Sequence, residues 1–177
     1  MKIYLDNNIV SGMSRGDLQP TEMEAVRQIE AAAGRGELEI VTSRETWREQ
    51  DRTRDPAVRS QLEEDRQDVP VVLHDHVMLG STPRYDNHGN WYGNSPILSE
   101  VVDQKLFAAL KSAGLKDADA RHFMYAVRNG CDRFVTTDPD FLDRVLELEV
   151  LGEGILIQRP SKLADELFPP GASAAAM

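Results

Sequence analysis

The sequence predicts an α/β protein, a three-layer α/β/α sandwich around a central parallel sheet. Two observations predict it. Short apolar runs that read as strands alternate along the chain with stretches whose apolar residues recur at helical spacing, the pattern of strands joined by crossover helices. The 177 residues, 41% of them hydrophobic, also suffice for one ordinary core. One domain is expected over residues 1–168, with a frayed tail at 169–177.

The first element is the strand "KIYL", which runs straight into Asp6. "PTEMEAVRQIEAAAGRGE" then repeats Met23, Val26, Ile29 and Ala33 at helical spacing behind Thr21 as N-cap, and Gly34 and Gly36 end it. "LEIVTS" is a second strand. "SRETWREQDRTR" opens a helix with Ser43 in capping position and with Glu45 and Glu49 one turn apart on one face. Pro56 interrupts it, a charged helix follows, and "VPVVLHDHVML" reads as extended or mixed. Residues 80–98 are dense in Gly, Pro, Asn and Ser and are expected to form a long loop. Two helices come next, "SEVVDQKLFAALKSAGL" capped by Ser99 and "KDADARHFMYAVRNG" closed by Gly130. The chain ends with the strand "RFVTT", the short helix "DFLDRVLEL", the strand "GILIQ" and the amphipathic turn "PSKLADELF".

Composition excludes several functions. No run approaches 18 apolar residues and the chain starts with a strand, so neither a signal peptide nor a membrane span is expected, and the location is expected to be cytoplasmic. A single cysteine, Cys131, rules out an internal disulfide or a cysteine zinc cluster and reads as packing. His74 and His76 alternate in "LHDHV" without further histidine or cysteine ligands nearby, which leaves a transition-metal pair poorly supported. Thirty acids against twenty bases leave a net charge of −10. Solubility explains part of that excess, and a carboxylate cluster that takes divalent cations explains part.

Crossover connections bring the C-terminal ends of parallel strands to one rim, where ligands bind. Asp6 closes the first strand, Glu49 lies in the helix after the second, Asp119 opens a helix, and Asp138 and Asp140 follow "RFVTT". All can share that rim. As a helix-opening residue Asp119 serves the helix dipole, and Asp138 before Pro139 suits a turn, so spacing alone does not make either functional. Carboxylates gathered together repel and raise one another's pKa, and a divalent cation relieves this. A haloacid-dehalogenase-type phosphatase would need a second Asp where Asn8 stands. A response regulator would need an acidic pair at the first strand and a lysine after the fifth.

Taken in order, "YLDNNIV", "IVTSRETWREQ", "DADARHFMYAVRNGCDRFVTTDPDFL" and "GILIQRPSKLADEL" resemble the PIN domain family. Asp6 and Asn8 match its first motif, with Asn7 in place of the usual hydroxyl residue. Ser43 and Glu49 match the second, with Glu45 as the rival acid. Asp119, Ala120 and Ala126 match the third, where His122 occupies a position that is His in some branches. Thr136, Asp138, Asp140 and Phe141 match the fourth.

The resemblance implies a metal-dependent endoribonuclease with one or two Mg²⁺ or Mn²⁺ ions. Asp6, Asp119 and Asp138 would be ligands, with Asp140 replacing or supplementing Asp138. Glu49 would be a ligand or an acid acting through water, and Asn8 and Thr136 would orient the carboxylates. Many relatives are toxins of toxin–antitoxin pairs and many dimerise, so RNA, an antitoxin protein and a second copy are the implied partners. Arg44, Arg48 and Arg52 are candidates for a phosphate stripe or for ion pairs with the interleaved acids. Trp91 and Tyr92, with Tyr85, Arg84 and His88, are candidates for stacking on bases, for folding the loop onto the body or for a dimer contact. A non-catalytic PIN-like module that binds RNA or protein is the alternative from another class.

Overall fold

Alternate residues of a strand face opposite ways, and in Lys2–Leu5 (β1) both faces are apolar, which demands cover on both sides. The computed structural model describes residues 1–65 and 69–169; the expected frayed tail lies, from residue 170 onward, outside the described residues. After β1 come α1 (Asn7–Arg15), α2 (Pro20–Gly34), β2 (Glu39–Val41), α3 (Arg44–Asp51) and α4 (Pro56–Asp65). Next are β3 (Val77–Tyr85), β4 (Trp91–Ser99), α5 (Gln104–Ser112) and α6 (Asp117–Arg128). The chain continues through β5 (Arg133–Val135), α7 (Pro139–Leu142), α8 (Val145–Leu151), β6 (Leu156–Gln158) and α9 (Pro160–Leu167).

The central sheet is parallel, in the order β2-β1-β5-β6. Tyr4, Val41, Phe134 and Ile157 point to one face, where they meet Leu106, Leu110, Phe123, Phe141 and Leu148 of α5, α6, α7 and α8. Ile3, Leu5, Ile40 and Val135 point to the other, against Ile9 and Val10 of α1, Val26, Ile29 and Ala32 of α2, and Leu163 of α9. The fold is therefore the expected α/β/α sandwich. The connection leaving β1 covers one face and the connection leaving β5 covers the other, so the chain diverges between these two adjacent strands. That divergence opens a crevice at their C-terminal ends, the position where open α/β sheets bind ligands. Among the described residues no helix is long and apolar enough to cross a membrane.

Three local expectations are corrected, and one element is new. Asp6 is the N-cap of α1, a helix the sequence did not announce, in which Ile9 and Val10 are buried against the sheet. Gln19, with Pro20 at the first helical position, opens α2 in place of Thr21. Asp103, not Ser99, caps α5 by accepting from the Lys105 and Leu106 N–H groups. The expected loop at 80–98 is an antiparallel hairpin of β3 and β4. Its turn chemistry is confined to the tip, where Asp86 accepts from the His88 and Asn90 N–H groups and Gly89 takes φ +84°. The glycines and prolines that suggested a loop lie inside strands with no neighbour but each other, where register shifts and a missing ladder donor are tolerated.

Candidate functional site

The crevice between β1 and β5 is walled by the residues that follow each strand. Asp6, 5% exposed, accepts from the Asn7 N–H through Oδ1 at 2.8 Å and from the Thr136 hydroxyl through Oδ2 at 2.7 Å. Thr136 Oγ1 in turn accepts from Asn8 Nδ2 and from the Asp138 N–H, each at 3.0 Å. One hydroxyl thus ties together the first and fourth acidic motifs. Asp138 caps α7, accepting from the Asp140 N–H at 2.8 Å.

The remaining wall comes from α3 and α6. Glu49 Oε2 lies 3.0 Å from His122 Nε2, and His122 Nδ1 lies 2.7 Å from the Tyr4 hydroxyl. Tyr4 donates to Ser43 Oγ at 2.6 Å. Tyr4 has one proton, and when it goes to Ser43 both ring nitrogens of His122 must donate, which makes the ring an imidazolium. His122, 1% exposed, agrees with this. Burial lowers its pKa, but the Glu49 hydrogen bond and the charges of Asp6, Glu49 and Glu45 outweigh burial and raise it. Asp119 sits in the first turn of α6, and its Oδ2 is buried with no hydrogen-bond partner.

The acids act on one another. Burial, with a further push from Glu49, raises Asp6 to about 6 against the opposing charge of His122 and its two hydrogen bonds. Burial raises Asp119 too, and the charges of Asp138 and Glu49 add to it while Lys116 and His122 oppose it. Asp6, Glu49, Asp119 and Asp138 therefore form one electrostatic cluster. These four carboxylates supply the hard oxygen donors that Mg²⁺ or Mn²⁺ prefers. They do not converge as ligands: among the described residues no group of three or more His, Cys, Asp or Glu side chains stands arranged to hold a metal ion.

Other sequence candidates lie elsewhere. Glu45 is fully buried and bound to Arg121 at 2.7 Å and Arg48 at 3.2 Å, so it anchors α3 to α6. Asp140 is held in an ion pair with Lys116 at 2.8 Å, and that lysine also feels the charges of Asp119 and Asp138, so the pair borders the acid cluster. Arg48 also pairs with Glu100 and Arg44 with buried Asp75, while Arg52 is exposed where α3 ends. The stripe of arginines is thus largely an ion-pair network. Trp91 is exposed on the hairpin, far along the chain from the crevice walls; the side chain of Tyr92 lies outside what is described. His76 bonds Asp75 and His74 bonds Asn129, which gives both a structural use. Cys131 is buried, as expected, and burial pushes its thiol up to about 12.

Sequence reasoning missed the bridge from Ser43 through Tyr4 and His122 to Glu49. A tyrosine in an apolar strand reads as core, and only the three-residue spacing of Asp119 and His122 on one helix hinted that both face the crevice. No family model, curated protein or solved structure matches the chain. The reading of function therefore rests on the chemistry of the site.

Proposed function

We propose that the protein is a metal-dependent endoribonuclease of the PIN-like kind, with Asp6, Glu49, Asp119 and Asp138 as its acids. One observation carries the reading: buried Asp6 and half-buried Asp119, both with raised pKa values, cluster with Glu49 and Asp138 at the crevice between β1 and β5, and Asp119 Oδ2 is buried with no partner of the chain's own. Such groups cost stability unless a cation joins them, and sites that pay this cost are disproportionately functional. A bound Mg²⁺ or Mn²⁺ would neutralise charge on a phosphodiester and activate water at neutral pH.

The chain's own residues hold the acids for that task. Thr136 and Asn8 fix Asp6 and the backbone of Asp138, and His122 fixes Glu49. Side-chain rotation has to bring the donors together around an ion, and Asp119, free of hydrogen bonds at Oδ2, is the one with least to give up. Hydrolysis breaks one phosphorus–oxygen bond, adds hydroxide to phosphorus and returns a proton to the leaving oxygen.

The test is Mn²⁺-dependent cleavage of fluorescent RNA and single-stranded DNA oligonucleotides by the wild type, Asp6→Asn and Asp119→Asn, beside calorimetric titration of Mn²⁺ into each. Cleavage and metal binding by the wild type alone are expected. A wild type that neither binds Mn²⁺ nor cuts, while still binding RNA or a protein, would favour the non-catalytic module. The unconverged donors and the ion-paired arginines speak for that second reading.

A further inference from the structure

A phosphodiester strand that enters the crevice meets four carboxylates, each of which repels its negative charge. Where a metal ion offsets that repulsion at the scissile phosphate, the neighbouring phosphates still need cations of the chain's own. Most basic side chains on the two helices that wall the crevice are already committed. Arg48 of α3 and Arg121 of α6 hold buried Glu45 and reach Glu100, and Arg44 holds buried Asp75. His122 is buried and bound to Glu49, and Arg128 pairs with Asp103 at the far end of α6.

Lys116 is placed differently. It is the extended residue from which α6 starts, one turn before Asp119, and its side chain is 76% exposed. Its ammonium donates to Asp140 Oδ2 at 2.8 Å, and the Asp140 N–H donates to Asp138 Oδ1 at 2.8 Å. The lysine therefore bridges the α6 and α7 sides of the rim, with Asp119 on its own element and Asp138 bonded to its partner. Its charge reaches both acids.

Asp140 can release it. An ion pair between exposed groups contributes little, and Asp140 keeps 36% of its side chain in water. Asp140 also has a second cation: Arg144 donates to its carbonyl at 2.6 Å and stands 3.9 Å from its carboxylate. The Arg144 guanidinium lies along Gly114, two residues before Lys116, where a Cβ would meet it at 3.6 Å. Arg144 thus braces both the carboxylate that Lys116 leaves and the turn that carries Lys116. A lysine suits an exchange of partner, because its ammonium is a point charge on a flexible stem.

We infer that Lys116 is a substrate-binding residue, which leaves Asp140 to hold a phosphate of single-stranded RNA next to the one that is cut; this rests on the nuclease reading of the acids. The test is binding of a fluorescent single-stranded RNA by the full chain and by Lys116→Gln, Lys116→Arg and Lys111→Gln, followed by anisotropy between about 50 and 200 mM salt. Ca²⁺ replaces Mn²⁺ in these titrations, as a hard ion that takes the same oxygen donors. Lys116→Gln is expected to weaken binding about fivefold to tenfold at the lowest salt and to reduce the salt slope by about 0.7, the share of one phosphate contact on a single strand. Lys116→Arg should stay within about twofold of the wild type with its slope unchanged. Lys111→Gln, which removes a lysine paired with Asp117 at 2.7 Å near the same turn, should change neither. In Mn²⁺ cleavage assays Lys116→Gln should raise KM by the factor by which it weakens binding and leave kcat within about twofold, with calorimetric Mn²⁺ affinity no weaker than the wild type's.

Lys116→Gln with wild-type affinity and slope would overturn the inference and leave the nuclease reading standing where the wild type cuts. A fall in kcat or in Mn²⁺ affinity at unchanged KM would overturn it too, because Lys116 would then support the acids and not the substrate. A wild type that binds RNA without cutting would overturn the nuclease reading, while the slope still decides whether Lys116 holds phosphate. A wild type that binds no RNA at any salt would overturn the inference, and its Mn²⁺ titration would then decide the reading of the acids alone.

Discussion

Burial pushes the Asp6 carboxyl up to about 6, while the His122 charge, the Thr136 hydroxyl and the Asn7 N–H pull it back. Between the ordinary 3.8 and that value the folded chain binds more protons than the unfolded chain, so stability falls as pH rises through this window. Two units correspond to about 3 kcal/mol lost by pH 7, an upper bound because the opposing groups respond as well. Asp6→Asn keeps an oxygen to cap α1 and removes the charge, while the acceptor for the Thr136 hydroxyl is lost, which sets the gain below the full electrostatic figure. In a metal chelator the variant is expected to be more stable than the wild type by about 1–3 kcal/mol at pH 7. Its urea stability should vary less between pH 4 and 6. A variant that retains the wild-type slope would show that Asp6 is not the group responsible. An acid that weakens the fold it caps has a reason to be there other than folding.

At the scale of elements, α6 shows how the crevice depends on packing at a distance. Asp119 and His122 stand on its first turns, and Phe123 beside them packs on Phe134 with ring centroids 5.3 Å apart. Behind Phe123 lies Gly152, at the end of α8, where a Cβ would meet Ile155 Cγ2 at 2.5 Å and the Phe123 ring at 2.8 Å. Gly152→Ala is expected to destabilise the protein by about 1–3 kcal/mol through overpacking. A lowered urea midpoint with an unchanged slope would report it; an unchanged midpoint would mean that α8 moves aside at no cost. The main elements around this contact were legible in the sequence because their patterns are local: apolar strands, 3.6-residue periodicity, and glycines at helix ends. Two features were not. In α1, two asparagines behind Asp6 masked a helix whose buried apolar side chains are just Ile9 and Val10, beside buried Ser11 and Gly12. In the hairpin, glycine and proline density reads as loop, whereas a ribbon with two free edges tolerates both residues. Within the site, the strand-end acids followed from topology alone. Which of Glu45 and Glu49 faces the crevice did not, because Glu45 is claimed by Arg121, 76 residues away in sequence, and ion pairing over that distance leaves no local trace.

Over the whole molecule the excess of ten negative charges has two components that respond differently to cations. The diffuse component, spread over exposed Asp and Glu, is relieved by any salt through screening, with a Debye length of about 10 Å at 0.1 M. The local component, the cluster of buried Asp6 with the half-buried Glu49, Asp119 and Asp138, is screened less by sodium than the surface charges are and is relieved most by an ion that enters. Sodium chloride should therefore raise the melting temperature modestly and gradually with concentration. At matched ionic strength, millimolar Mn²⁺ should raise it further and in proportion to the logarithm of its concentration once the site fills, reaching about 2.7 kcal/mol of stabilisation at a hundredfold excess over Kd. In Asp119→Asn the sodium response should persist and the manganese increment should vanish, since Asp119 brings to the cluster the one buried oxygen without a partner. Thermal scans of both proteins in the two salts separate the components. Equal responses to sodium and manganese in the wild type would reduce the acidic balance to surface charge, and the clustered carboxylates would then need a cation supplied by a partner chain.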